Sequence, residues 1–284
     1  MNAIEMLRNR ARQKNTFACC GLDPDKTKLP QAILEMDCSD RERIYIFLRT
    51  VIEITAPHVC AYKIQKACFD LLPSGYSLLK EIIAYIHEKH PEIPVIIDCK
   101  IGDIGNTMEA FYALSIFERL QADGVVVNPY MGDEVFTSLE GYPDKIVVVL
   151  VKTSNKGSAA VQDIVTQSGE KVWEVILGLA MNRWNRHGNI VPVISSTAGV
   201  DLVKVRRAIP NETPILFAGV GAQGGSYDGF AHLFTDEESC VFANSSRKIL
   251  YSPAEKGKSW QDLVEERIIE LKNELNASRR LKSI

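Results

Sequence analysis

Short apolar runs rich in valine, isoleucine and cysteine alternate along the chain with longer stretches whose apolar positions recur every three or four residues. The short runs have the length and β-branched content of strands buried on both faces; the longer spacing is the stripe of an amphipathic helix. Strands are expected at Thr16–Leu22, Val59–Lys63, Pro94–Lys100, Gly124–Asn128, Lys145–Val151, Ile190–Ile194, Pro214–Ala218 and Ser239–Ala243. Helices are expected at Arg41–Thr55, Ser74–Lys89 with Ser74 as N-cap, Ile104–Leu120, Glu134–Leu139, Glu170–Arg186, Val200–Ile209, Gly224–Leu233 and Trp260–Leu275. A leading segment, Met1–Asn15, places Ile4, Leu7 and Ala11 at helical spacing and reads as an amphipathic helix.

Eight strands, each followed by a helical pattern, make parallel βα units. The simplest closure is an α/β fold of the (β/α)₈ TIM-barrel type with an extra N-terminal helix, and an open doubly wound sheet is the alternative. No repeat, low-complexity tract or linker divides the chain, so residues 1–284 read as one barrel domain, with 1–15 the leading helix and 276–284 a frayed tail.

Bulk properties narrow the classes. A hydrophobic content of 46%, a charged content of 24% and a net charge of −3 describe an ordinary soluble protein without the basic footprint of a nucleic-acid binder. The longest apolar runs, such as Ile146 to Val151, are too short to span a membrane. Seven cysteines without a CxxC pair, most of them within apolar strands, suit buried thiols in a reducing cytoplasm. The five histidines show no metal-ligand spacing.

Polar residues fall where a parallel barrel builds its active site, at the C-terminal ends of strands. Strand one ends at Asp23, strand two at Lys63, strand five at Thr153 and Ser154, strand seven at the loop Gly219 to Gly225, and strand eight at Ser246 and Arg247. Each has a plain structural alternative: Asp23 shaping a turn, Lys63 snorkelling, Ser154 capping a loop, Arg247 meeting a surface carboxylate. Strand three is the densest. Its apolar run ends in Asp98 and Lys100, which alternation places on one face as a pair, and Asp103 follows where a helix should begin, with Thr107 on the same helix face. A buried ion pair followed by an aspartate N-cap would explain these residues without function. The glycine loop before a helical segment, together with Arg247, suits a phosphate.

These residues resemble orotidine 5'-phosphate decarboxylase, particularly its longer bacterial-type branch. The similarity runs through Cys20-Gly21-Leu22-Asp23-Pro24, Tyr62-Lys63-Ile64-Gln65, Asp98-Cys99-Lys100-Ile101-Gly102-Asp103-Ile104, Asn128-Pro129-Tyr130-Met131-Gly132, Thr153-Ser154-Asn155, Gly219 to Gly225 and Ser245-Ser246-Arg247. Departures fall at Ile64, where proline is expected, Ile101, where arginine is common, and Ala218, where proline usually precedes the loop. The resemblance implies decarboxylation of orotidine 5'-monophosphate to uridine 5'-monophosphate with no metal or organic cofactor. It implies a charge network of Lys63, Asp98, Lys100 and Asp103 in which Lys100 stabilises and protonates the C6 carbanion. It also implies Asp23 on the ribose hydroxyls, Ser154 and Gln223 on the pyrimidine, and Arg247 with the Gly224 and Gly225 region on the phosphate. The partner is expected to be a second copy, with Asp103 and Thr107 reaching into the neighbouring subunit's site. No nucleic acid or membrane partner is expected, and the cytoplasm is the expected location.

Two other functions compete. One is a magnesium-dependent sugar-phosphate lyase or decarboxylase of the same superfamily, whose members resemble the chain at Asp98, Lys100 and Asp103 but carry a metal-binding glutamate where it has Lys63; a lysine there repels a metal. The other is a non-catalytic nucleotide-phosphate binding protein, for which a broken charge network would be the mark.

Overall fold

A computed structural model of the protein describes residues 2–195, 200–219, 227, 229–236 and 239–280. Its strands are β1 (Ala18–Gly21), β2 (Ala61–Gln65), β3 (Val95–Ile101), β4 (Gly124–Val127), β5 (Ile146–Leu150), β6 (Ile190–Ser195), β7 (Ile215–Ala218) and β8 (Val241–Ser245). Each pairs in parallel with the next, and β8 returns to β1 through Ala18↔Ala243, Cys19↔Asn244 and Cys20↔Ser245. That last ladder excludes the open sheet. It also shifts a boundary: β8 runs on to Ser245, beyond the Ala243 expected from hydrophobicity, because β1 continues to pair with it. The same holds for β2, which reaches Gln65 through its pairing with Asp98.

Strand residues are buried almost throughout, since side chains facing inward fill the barrel and those facing outward lie under helices. The leading helix spans Ala3–Lys14, capped by the Asn2 side chain accepting from Glu5 N–H. It lies across the N-terminal end of the barrel. Arg10, almost wholly buried, donates to Ala56 O and Val59 O before β2 and to Glu92 before β3. The end of the barrel at the strands' C-termini is therefore left uncovered by this helix.

Several helices differ from the periodicity. Ser74 does precede the helix Gly75–Lys89, but it takes a left-handed conformation (φ 59°) and its side chain makes no cap. After β3 only Gly105–Thr107 is α-helical; Met108–Arg119 widens into a π-helix, with Leu120 N–H bonded to Ser115 O five residues back. The expected helix Glu170–Arg186 is α-helical over Val172–Leu179 and π-helical over Ala180–Trp184. Apolar spacing reads which face is inward but does not distinguish these backbone hydrogen-bond patterns. The helix beginning at Trp260 continues to Arg280, so residues 276–280, expected to fray, are helical, and Asn276 donates to Asn15 O. The stretch Asp23 to Asp40, which carries no strong periodicity, contains a 3₁₀ turn at Lys26–Lys28 and a short helix at Gln31–Leu34. Much of the helix expected at Gly224–Leu233 lies outside the described residues, which hold a 3₁₀ turn at Phe230–Leu233.

All seven cysteines are free thiols, and burial pushes those of Cys19, Cys99 and Cys240 up to about 12. No helix among the described residues is long and apolar enough to cross a membrane.

Candidate active site

The site is built around the end of β3. Its ladder to β4 runs Ile96↔Gly124, Ile97↔Val125, Asp98↔Val126 and then skips to Ile101↔Val127, so Cys99 and Lys100 form a bulge with no partners. Lys100 adopts a left-handed backbone (φ 46°), which costs a non-glycine residue about 1–2 kcal/mol. The expected pairing with Asp98 is present, but plain strand alternation does not produce it. The bulge re-aims the lysine, a use to which bulges near active sites are put. Gly102 then passes close against β4's end: a Cβ there would lie 2.3 Å from Asn128 O, so the motif's glycine is required by contact.

Asp98 is held between two ammonium groups. Lys63 Nζ donates to its Oδ2 at 2.8 Å and Lys100 Nζ to its Oδ1 at 2.6 Å. Lys63 and Asp98 are 8% and 6% exposed, whereas the Lys100 side chain is 48% exposed, so Lys100 is the member of the trio that can meet both ligand and solvent. Burial alone would lift the Asp98 carboxyl, but the Lys63 and Lys100 charges outweigh it and hold it below the usual carboxylate range. Burial likewise works against a charged Lys63, yet Asp98 and then Asp23 overcome it and raise its pKa. Asp98 and Lys63 are therefore both ionised at neutral pH, and Lys63 is a buried partner, not a snorkelling surface lysine.

The mouth above this trio is a cavity of about 710 Å³ lined by Asp23, Lys63, Asp98, Lys100, Ser154 and Arg247 among others. Asp23 stands at the end of β1, where its Oδ1 accepts from Gln65 N–H at 3.0 Å. Tyr251 steadies the same turn, its hydroxyl accepting from Asp25 N–H and donating to Asp23 O. Ser246 and Arg247 follow β8, and a Cβ on Gly21 would fall 1.8 Å from Ser246 Oγ, so β1 and the Arg247 turn pack in contact. Arg247 is exposed and makes no ion pair among the described residues; the neighbouring Lys248 takes the surface carboxylates Glu270 and Glu274 instead.

Asp103 and Thr107 are not in this lining. Nor does Asp103 cap the helix: Ile104 holds the N-cap position, Asp103 Oδ1 accepts from Ile104 N–H, and the first helical N–H, that of Gly105, goes to Glu134 Oε2. The aspartate N-cap that would explain Asp103 without function is therefore not formed, and a long-range partner takes the first helical N–H. Gly219 lines the cavity with φ 93°, while Gln223, Gly224 and Gly225 lie outside the described residues. Sequence reasoning passed over Gln65, Asn155, Gln162 and Tyr251, all of which line the cavity. Gln65, adjoining the Lys63 strand end, and Asn155, adjoining Ser154, had a positional signal; Gln162 and Tyr251 had none. Among the described residues no cluster of three His, Cys, Asp or Glu could hold a metal ion.

The family model for "Orotidine 5'-phosphate decarboxylase / HUMPS family" matches residues 18–262, from β1 into the last helix. The chain belongs to this family. It is 39% identical over 253 residues to orotidine 5'-phosphate decarboxylase of Dechloromonas aromatica, covering 89% of this chain and 91% of that protein. The solved Leishmania donovani OMP decarboxylase superposes with a TM-score of 0.80 at 30% identity, covering 98% of this chain and 99% of its own. Leishmania donovani UMP synthase superposes with a TM-score of 0.82 at 31% identity over 98% of this chain, which spans 57% of that longer one. Against the orotidine 5'-phosphate decarboxylase pattern, the departures at Ile64, Ile101 and Ala218 leave the charged trio intact. Ile64 is fully buried, Ile101 re-enters the ladder opposite Val127, and Ala218 closes β7 opposite Ser195.

Proposed function

We propose that Lys100 is the group through which this barrel acts as a decarboxylase. The family and the identity to its bacterial members give the reaction: orotidine 5'-monophosphate loses carbon dioxide to form uridine 5'-monophosphate, a carboxy-lyase step of pyrimidine biosynthesis. Breaking the bond from C6 to the carboxylate leaves an electron pair on C6 with no carbonyl placed to delocalise it. A fixed ammonium answers that charge as it develops and then supplies the proton that replaces carbon dioxide. The observation that carries this reading is the trio itself, in which Asp98, clasped by Lys63, holds Lys100 at 2.6 Å. An ammonium oriented before the substrate arrives needs little reorganisation during the reaction. Asp98 can also crowd the substrate carboxylate, a contribution we rank second to preorganisation.

The remaining groups bind. Asp23 takes the ribose hydroxyls with Lys63, Ser154 and Gln223 take the pyrimidine, and Arg247 with the amides near Gly224 and Gly225 takes the phosphate. Phosphate binding, remote from C6, supplies energy for closing loops over the base. Asp103 and Thr107 complete a neighbouring subunit's site in a homodimer. Supporting this, Ile104, Phe111 and Leu114 after β3 and Tyr130 and Met131 after β4 are exposed apolar side chains flanking them. The seven free thiols fit a cytoplasmic protein. The buried Lys63 ammonium on Asp98, standing where the sugar-phosphate enzymes carry a metal-binding glutamate, repels a divalent cation and favours metal-free chemistry over that alternative.

The test mixes purified protein with orotidine 5'-monophosphate in chelator-containing buffer and follows loss of substrate absorbance, with uridine 5'-monophosphate identified as product. Turnover is expected. Inactivity there, with magnesium-dependent activity on a sugar phosphate, would overturn the reading.

A further inference from the structure

The segment leaving β5 is pinned at its neck by two adjacent cross-links. Lys152, its side chain 4% exposed, donates to Asp163 Oδ2 at 2.8 Å, and one residue along each arm Gln162 pairs twice with Thr153. Gln162 Oε1 accepts from Thr153 N–H at 3.0 Å while its Nε2 donates to Thr153 Oγ1 at 2.8 Å. A threonine hydroxyl has one proton. With Oγ1 accepting from Gln162, that proton goes to Asn155 Oδ1, 2.7 Å away. The relay therefore has a direction, from the Gln162 amide through the Thr153 hydroxyl to the Asn155 carbonyl. With Asn155 Oδ1 turned onto Thr153, the other edge of the amide is its NH₂ group, a donor only.

The barrel does not need this relay. The β5–β6 ladder ends at Leu150↔Val193, with Lys152 N–H donating to Val193 O, before the relay begins. Asp163 already closes the neck through Lys152, with Lys171 on its other oxygen. Only an amide at position 162 can both accept from the Thr153 N–H and donate to its hydroxyl. Thr153, Ser154, Asn155 and Gln162 all line the cavity that holds Lys100.

We infer that Gln162 is a positioning residue for the base of the nucleotide: it fixes the direction of the Thr153–Asn155 relay so that Asn155 offers donors to a ring carbonyl oxygen. This rests on the nucleotide reading above. A glutamate at 162 accepts from both Thr153 groups, draws the hydroxyl proton to itself and releases Asn155 Oδ1. Thr153→Val removes the relay while leaving the backbone link to Gln162 and the Lys152–Asp163 bridge in place. Thr153→Ser restores the hydroxyl.

The experiment measures Kd for uridine 5'-monophosphate and for ribose 5-phosphate, which lacks the base, on wild type, Gln162→Glu, Thr153→Val and Thr153→Ser, with thermal unfolding as the folding control. One misdirected hydrogen bond should weaken the nucleotide about tenfold in Gln162→Glu and Thr153→Val, leave ribose 5-phosphate within about twofold, and leave Thr153→Ser close to wild type. Equal losses on both ligands would assign Gln162 a merely structural role, and unchanged nucleotide affinity in Thr153→Val would remove the relay from recognition; either overturns the inference. Wild type binding the nucleotide no better than ribose 5-phosphate would instead strike the nucleotide reading itself.

Discussion

Replacing Asp98 with asparagine keeps its volume and removes the charge that Lys63 and Lys100 share. Lys100 loses little stability by this, being half exposed. Lys63 loses more: its side chain is 10% exposed, and its ammonium is left buried with Asp23 as the acidic neighbour that remains. Breaking a buried pair from one side costs about 3–5 kcal/mol, and because asparagine can still accept one hydrogen bond, about 3 kcal/mol is the expectation. Unfolding entropy for a chain of this length is about 0.6 kcal/mol/K, so Tm should fall by about 5 °C at neutral pH. The deficit has a pH signature. In the wild type the raised pKa of Lys63 makes its contribution complete below the ordinary lysine range and lost as pH rises through the raised value. Without Asp98, desolvation acts with less opposition and pulls that pKa down. A lysine whose folded pKa is depressed favours the fold increasingly as pH rises past it, so the deficit of Asp98→Asn should shrink between about pH 7 and pH 9.5. Lys63→Met combined with Asp98→Asn should recover part of the loss, since no unpaired ammonium is buried. Calorimetric unfolding of the three proteins at both pH values is the assay. A variant that unfolds with the wild-type Tm at pH 7, or a deficit that does not change with pH, would refute the electrostatic account of the trio.

Other predictions concern the division of labour. Lys100→Ala should lose turnover by about 10⁴-fold or more, the combined scale of electrostatic and proton-transfer contributions, while binding uridine 5'-monophosphate and unfolding within about 1 kcal/mol of wild type; turnover within tenfold would remove Lys100 from the chemistry. Arg247→Ala should weaken uridine 5'-monophosphate by about 10- to 100-fold and leave uridine unchanged, whereas equal effects on both would count against phosphate recognition there. Mixing inactive Lys100→Ala and Asp103→Ala proteins under exchange conditions should restore about a quarter of wild-type activity, because the hybrid of a two-fold dimer contains one complete site. No recovery despite demonstrated exchange would place Asp103 in its own subunit's site.

Local chemistry explains what was legible and what was not. The buried valine and isoleucine runs declared strands because a strand covered on both faces has no polar side, and their alternation with helical stripes declared parallel βα units. Asp98, Lys100 and Lys63 stood out because charge at the end of such a run is costly unless paired, and the pairing they suggested is present. By itself the sequence thus determined the parallel βα class, the strand ends that carry the polar groups, and the identity of the charged trio. Tertiary structure decided the rest, because each remaining feature depends on a partner far along the chain. Closure required β8 to meet β1. The aim of Lys100 required a bulge that exists only against β4, with Gly102 pressed on Asn128 O. Asp103 was left free of capping because Glu134, from beyond another strand, supplies the acceptor for Gly105. Gln162 entered the site because the neck of its loop closes on Thr153 nine residues earlier. Hydrophobic periodicity records which way a side chain must face; hydrogen bonds between distant segments leave no period to read.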